Sequence, residues 1–190
     1  MTNRSTNQRL WFYRGLTLLV TALLAHLLTI WAVPRLIMRV VLQGSAAQSL
    51  NMHNQAAFPP PVTAQSRAIV MPSPDLLYSV CVYDLSEGAV RVQAAPQLPN
   101  YWSIALYSAN SDNFFVRNDR QAAGKPVDLW LVPSSGAPAQ NQVPAGAEVV
   151  VSPSKTGFLL MRVLASDYQT DQAVLEAGRR TLRCQAAGTL

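Results

Sequence analysis

Four aspartates and a set of tyrosines are the residues of this chain whose types and spacing could do chemistry. Asp75 stands three residues before Tyr78, Asp84 closes an apolar run, Asp112 sits in the polar corner 109–113, and Asp119 lies between Arg117 and Arg120. Two carboxyls whose surroundings push their pKa values apart can act as general acid and general base. The stretch NYWSIALYSANSDNFFVRNDR, residues 100–120, carries the sharpest form of this idea. It predicts an aromatic-lined pocket with Asn110, Asp112, Asn113 and Arg117 at its rim. With Asp75, Tyr78, Tyr101 and Tyr107 these form the candidate set for binding a ligand or partner. A structural reading stands beside it: Asp75 and Asp84 shape turns through side-chain to backbone bonds, Asp119 pairs with an arginine, and the corner is a packed hairpin.

Other chemistries are poorly supplied. No histidine occurs from residue 67 to 190, which removes the commonest general base and the commonest metal ligand from that part. No nucleophile elbow, phosphate-cradling glycine loop or dinucleotide fingerprint is present. Neither a metal nor a cofactor is expected. The leading expectation is a binding or interaction module; the alternative is a metal-independent hydrolase or lyase using carboxylates and tyrosine.

The elements that must position these residues are short, rich in β-branched and aromatic side chains, and bounded by Pro, Gly, Asn or Ser. They fall at 67–71, 76–85, 89–94, 101–108, 113–118, 127–132, 148–152 and 157–164. Their hairpin-length gaps predict an all-β, antiparallel sandwich or jelly-roll-like domain over 67–190. Alternation along 101–108 puts Trp102, Ile104 and Leu106 inside and leaves Tyr101, Ser103, Ala105 and Tyr107 on the other face, to line a groove or cover a helix. One C-terminal helix is predicted over 170–183, capped by Thr170 or Asp171, with arginines in its closing turns. Cys81 on the second strand and Cys184 at the helix end either pair as a disulfide or remain free thiols.

Composition places the rest. Of 190 residues 49% are hydrophobic and 13% charged, and the apolar excess lies near the amino terminus. Residues 15–33 carry no formal charge and, at about 1.5 Å per residue, can cross a hydrocarbon layer of about 30 Å. Arg4, Arg9 and Arg14 precede this run, which favours a cytoplasmic segment 1–14 and an exported carboxyl terminus; in a bacterium that is the periplasmic side of the inner membrane. A removable signal peptide is the competing reading, but no small-x-small pair follows the run closely. His26, mid-span, reads as a proton relay or as a neutral group bonded to a backbone carbonyl or a partner helix. Residues 34–43 are expected as a short juxtamembrane helix or the end of the same helix, and 44–66 as a Pro-rich linker in which His53 stands alone. The net charge of +5 equals the five arginines before residue 40, since the ten remaining basic residues face ten acidic ones. No nucleic-acid footprint results.

The runs PSPDLLYSVCVYDLSEGAVRVQAA, LPNYWSIALYSANSDNFFVRNDRQAAGKP and AEVVVSPSKTGFLLMRVL, in this order, resemble the bacterial domain of unknown function 1254 over about residues 67–183. The whole chain is similar to small members of that family with a single membrane span. The resemblance implies an all-β, jelly-roll-like domain on an envelope protein and a companion envelope protein of the domain of unknown function 1214 type. Ala89 stands where the family corner has Pro, and Leu98, Pro99 and Asn100 replace a Gly-Asp-Arg, so an anion-binding arginine is missing there.

Overall fold

The computed structural model describes residues 3–66, 72–134 and 143–187, and the chain divides into two units, one up to Ile37 and one from Met38 onward. Long aliphatic side chains with no charge from residue 15 to 33 suit a helix that is apolar all round. Helix α1 runs Asn3–Gln43 with Pro34 inside it, and its most apolar 18-residue window has a mean hydropathy of 2.1. Residues 34–43, expected either as a short separate helix or as the end of the same one, belong to α1. In the first unit three polar side chains bond to carbonyls one turn back along the helix. Thr17 and Thr29 donate to the carbonyls of Tyr13 and Ala25, while Arg35 donates to the Trp31 carbonyl and stacks on the Trp31 ring. Two short helices, α2 (Ser45–Ser49) and α3 (Asp119–Ala122), lie in the second unit.

Among the described residues of the second unit, eight strands build two four-stranded sheets. They are β1 (Leu76–Asp84), β2 (Val90–Ala94), β3 (Trp102–Ser108), β4 (Asn113–Asn118), β5 (Val127–Pro133), β6 (Glu148–Ser152), β7 (Thr156–Leu164) and β8 (Arg183–Ala186). The first sheet has the order β1-β7-β3-β4, and the second β6-β5-β2-β8. All pairings are antiparallel except β5 with β6, which run parallel. Parallel neighbours need a long crossover in place of a hairpin, and the stretch 134–147 supplies the length. Seven of the expected strands correspond to β1–β7; the one at 67–71 lies outside the described residues.

One apolar core draws on both sheets. Leu77, Cys81 and Tyr83 of β1, Trp102, Ile104 and Leu106 of β3, and Leu159, Met161 and Val163 of β7 meet Val90, Val92, Leu129 and Leu131 of the second sheet. Trp102, Ile104 and Leu106 point inward, as alternation requires. Three ties join the sheets. Cys81 of β1 and Cys184 of β8 form a disulfide that closes a separation of 103 residues. Arg117 of β4 pairs with Glu148 of β6. Tyr83 donates to the Tyr107 carbonyl at 3.0 Å and meets Ser152 Oγ of β6 at 3.1 Å. Burial pushes the Tyr83 phenol above its ordinary range, with the Ser152 and Ser154 hydroxyls pulling the other way, so it remains a donor. Gly157 must lack a Cβ, which would overlap this hydroxyl and the Tyr107 carbonyl.

The opposite face of the first sheet carries a second core. Val80 and Val82 are buried there with Met38, Leu42, Ala47, Met52 and Ala57, and Tyr107, Phe158 and Leu160 pack against the cluster. The expected tyrosine face is therefore covered mainly by the end of α1 and the segment after it, not by the C-terminal helix. Ser103 and Ala105 are buried, and Tyr107 accepts from Arg162 at 2.9 Å.

Two expectations near the carboxyl end need correction. Helix α4 runs Tyr168–Arg179 with Asp167 as its N-cap, its side chain accepting from the Thr170 amide, so the helix begins and ends before the predicted 170–183. Residues 183–186 form β8 because the edge of β2 is open to them. Tertiary pairing overrides local helix preference here. Cys184 consequently ties sheet to sheet, not helix to sheet.

Candidate functional site

The sequence-predicted residues do not converge. Asp75 is exposed just before β1; its amide donates to Ser73 Oγ and its carbonyl accepts from Ala165. The Tyr78 hydroxyl accepts from the Ser73 amide at 2.9 Å. Asp112 lies beyond the other end of the sheet, about 20 Å away by strand rise. In the β3–β4 turn Ser108 donates to Asn110, Asn110 donates to Asp112 Oδ2 at 2.6 Å, and Ser111 takes a left-handed backbone at φ 72°. This corner satisfies its own polar groups, with Asn113 exposed beside it. Arg117 belongs to a different place. It lies opposite Ile104 in the register, stacks on Phe115 at 5.5 Å and pairs with Glu148. Asp119 makes no ion pair among the described residues, so the expected arginine partner is absent there; its Oδ1 is buried without a hydrogen bond. Tyr101 is exposed at the start of β3. Asp84 does shape a turn, accepting from the Ser86 amide.

A second constellation gathers where residues 51–61, α4 and β8 meet. The segment expected as a free linker runs along the outer edge of β1 as a strap. His53 bridges to Val82 and Ala57 to Val80, and the Ala57 amide donates to the Val80 carbonyl at 2.8 Å. Asn54, at φ 47°, holds both backbone groups of Asp84 through its side-chain amide. A chain paired in this way satisfies its backbone as a short extra strand would.

Arg179 fixes the strap to the helix. Its side chain is 2% exposed, and one guanidinium nitrogen donates to the carbonyls of Pro59 and Tyr78, each at 2.8 Å. Another reaches Glu176 Oε1 at 2.7 Å, while Nε is buried with no partner. A buried cation is tolerable only when paired and hydrogen-bonded in this manner. Glu176 also accepts from the Tyr168 hydroxyl at 3.2 Å and Arg180 Nε at 3.1 Å. Burial works to raise the Glu176 carboxyl, but the bonds from Arg179, Tyr168 and Arg180 outweigh it and hold the group below its ordinary range.

Arg180 then lies over the Phe58 ring at 5.2 Å. The pair forms a shared wall between two clefts. One, of about 450 Å³, is lined by His53, Ala56, Leu182, Arg183, Cys184 and Gln185 among others. The other, of about 470 Å³, lies against Pro60, Pro61, Tyr168, Gln172, Glu176 and Arg179. Both fall in the size range of small-molecule sites. Sequence reasoning missed Phe58, Glu176, Arg179 and Arg180. Their one legible signal is the spacing of Glu176 to Arg179 and Arg180, three and four residues along a helix. Among the described residues no group of three His, Cys, Asp or Glu side chains is placed to hold a metal ion.

Comparison with known proteins adds the family and the fold. The family described as "Protein of unknown function (DUF1254)" matches residues 53–186, so its pattern includes the strap from His53. None of the curated proteins matches at a significant level. Among solved structures, the VPA0106 protein of Vibrio parahaemolyticus is similar with a TM-score of 0.65 and 16% identity, over 83% of this chain and 36% of that one. An uncharacterised protein of Burkholderia cenocepacia, at 16% identity, has a TM-score of 0.43 over 63% of this chain and 34% of its own. The chain thus spans about a third of the length of these structures. With 53–186 matched and the strap, both sheets and α4 inside that range, this chain belongs to the DUF1254 family of proteins of unknown function.

Proposed function

We propose that this protein is a membrane-anchored module of the bacterial envelope whose second unit is a two-layer, jelly-roll-like β-sandwich displayed in the periplasm for binding. One observation carries the binding role. Two ligand-sized clefts share a wall, Phe58 and Arg180, positioned by the buried Arg179 and Glu176 network. Sites of this kind work when the side chains that shape them are held by packing and further hydrogen bonds. The sandwich reading is supported by a core drawn from both sheets and by the ties across them.

The anchor is supported by the charge-free run in α1, in which the Thr17 and Thr29 hydroxyls bond to carbonyls of the same helix, as hydrocarbon favours. The three preceding arginines favour N-in, C-out insertion. The disulfide suits an oxidising compartment. Partners in this reading are the bilayer, through α1, a small molecule at the clefts, and a companion envelope protein of the domain of unknown function 1214 type. No observation favours the hydrolase alternative. Asp75 and Asp112 sit at opposite ends of a sheet, and Asp128 and Glu176 are each committed to arginines.

A reporter fused after Leu190 tests the topology. Activity of a periplasm-dependent reporter, with a full-length mass for the membrane-bound chain, is the expected result. Activity of a reporter that works only in the cytoplasm would sink the orientation, and a mass lacking the first residues would replace the anchor with a cleaved leader.

A further inference from the structure

The cleft beside β8 has a chemical bias that narrows its ligand; this inference rests on reading the clefts as the binding face. Its charged lining residues are Arg180 and Arg183, with His53 also at the rim, and no aspartate or glutamate lines it. Two acidic groups on the neighbouring elements, Glu176 and Asp128, are already engaged by arginines. Glu176 faces the other cleft and holds Arg179, Tyr168 and Arg180. Asp128, on the outer face of the second sheet, takes a two-pronged contact from Arg91 at 2.9 and 2.7 Å and a bond from Gln93, the residue opposite Arg183.

The two arginines are prepared differently. Arg180 is oriented by Glu176 through its Nε and by the Phe58 ring, so its remaining guanidinium nitrogens are held in place with no bond among the described residues. Arg183 is exposed on the edge strand β8 and makes neither an ion pair nor a side-chain hydrogen bond among the described residues. Beside them Phe58 and Ala56 on the strap and Leu182 and Cys184 on the sheet side give the cleft an apolar portion, next to the uncharged Asn54, Gln55 and Gln185. A guanidinium fork matches a carboxylate or phosphate, and an aromatic ring under a fixed guanidinium accepts an apolar or planar body.

We propose that this cleft binds an organic anion, a carboxylate or phosphate on an apolar or aromatic body, with Arg183 and Arg180 on the anionic group and Phe58 against the body. The anionic group can arrive on a soluble molecule or as the headgroup of a lipid.

Phenyl phosphate is a suitable probe, titrated calorimetrically into the full chain in a neutral detergent, with benzyl alcohol as its uncharged counterpart. Saturable binding of phenyl phosphate and none of benzyl alcohol is expected. Arg183→Gln should weaken it about tenfold, the loss expected for one charge-assisted hydrogen bond. Arg120→Gln, an exposed arginine on another element, should leave it unchanged. Repeating the titration in phosphatidylcholine nanodiscs with and without phosphatidylglycerol separates the sources. An affinity lowered by phosphatidylglycerol assigns a lipid headgroup, and an unaltered one assigns a soluble ligand. Equal binding of benzyl alcohol, equal binding by Arg183→Gln, or no saturable binding in any medium overturns the proposal. The topology result is independent of all three.

Discussion

The two open sides of this pair of sheets are closed by different chemistry. On one side β1 faces β8, and the closure is covalent and buried: the disulfide of Cys81 and Cys184, with the strap and α4 packed around it and Arg179 clamping both. On the other side β4 faces β6, and the closure is the ion pair of Arg117 and Glu148, whose side chains are 28% and 48% exposed. Water screens the second tie and not the first. The candidate clefts lie on the covalently closed side, beside the disulfide and the buried Arg179 clamp. Rigidity and binding surface thus coincide at one edge, and the polar corner favoured by sequence lies elsewhere.

If that contrast is sound, damage to the β1/β8 side should cost far more than damage to the β4/β6 side. The largest effect is expected from Arg179→Ala, which strands the Pro59 and Tyr78 carbonyls and leaves the Glu176 carboxylate without its buried partner, held by Tyr168 and Arg180 alone. Breaking one partner of a buried ion pair typically costs about 3–5 kcal/mol. Urea unfolding of the full chain in detergent measures it. Arg179→Met combined with Glu176→Gln should lose less than Arg179→Ala alone, because no unpaired charge remains buried. A loss below about 1 kcal/mol for Arg179→Ala would show that the clamp is dispensable.

Next in size is the disulfide. Replacing both cysteines by serine should lower stability by about 2–4 kcal/mol, since the cross-link restricts a long loop of the unfolded chain. Unfolding with and without reductant should show the same difference for the native chain and none for the double variant. An equal stability with and without reductant would place the closure of this side on the strap and core alone.

A pH dependence should mark the same side. The folded-state pKa of Glu176 lies below its unfolded value, against the pull of burial, because Arg179, Tyr168 and Arg180 bond the charged form. Its stabilising contribution is therefore complete above the ordinary carboxylate range of about 4 and is lost as pH falls through the lower folded value. Between about pH 5 and about pH 2 the native chain should lose stability more steeply than Glu176→Gln. Asp128, held down chiefly by its bond from Arg91, shifts in the same direction and remains in both proteins, so the difference isolates Glu176. Parallel slopes would remove the carboxylate from the clamp.

How far the sequence could reveal this contrast depends on which interactions are local. Strands β1–β7 were legible because their side chains alternate and their ends carry turn residues, and Trp102, Ile104 and Leu106 were placed correctly for that reason. Strand β8 was not, since Arg183 to Ala186 continue a helical spacing and pair only because β2 offers an edge. The strap reads as a linker by composition; its order comes from backbone bonds to Val80 and Val82, which no side-chain pattern records. Arg179 looks like any arginine near a helix end, and only tertiary packing separates it from Arg180 beside it. The predicted corner fails as a gathered site for the converse reason. Its residues are close in sequence, but the strand carries Arg117 about 14 Å from Asn113 and turns it toward the other sheet.

The smallest effect belongs to the β4/β6 side. Arg117→Gln removes the one ion pair found between those edge strands among the described residues, yet both side chains keep water around them. Exposed pairs contribute about 0–1 kcal/mol, and salt weakens them further. The variant should therefore unfold within about 1 kcal/mol of the native chain, with the difference vanishing in about 1 M salt. Phe115, on which Arg117 stacks, should stay in place, because it packs against the main core independently of the charge. A loss as large as that for the cysteine variant would mean that the ionic tie closes its side as firmly as the covalent one closes the other. In that case the placement of the clefts beside β8 could not be attributed to rigidity, and the shape of the strap alone would have to account for it.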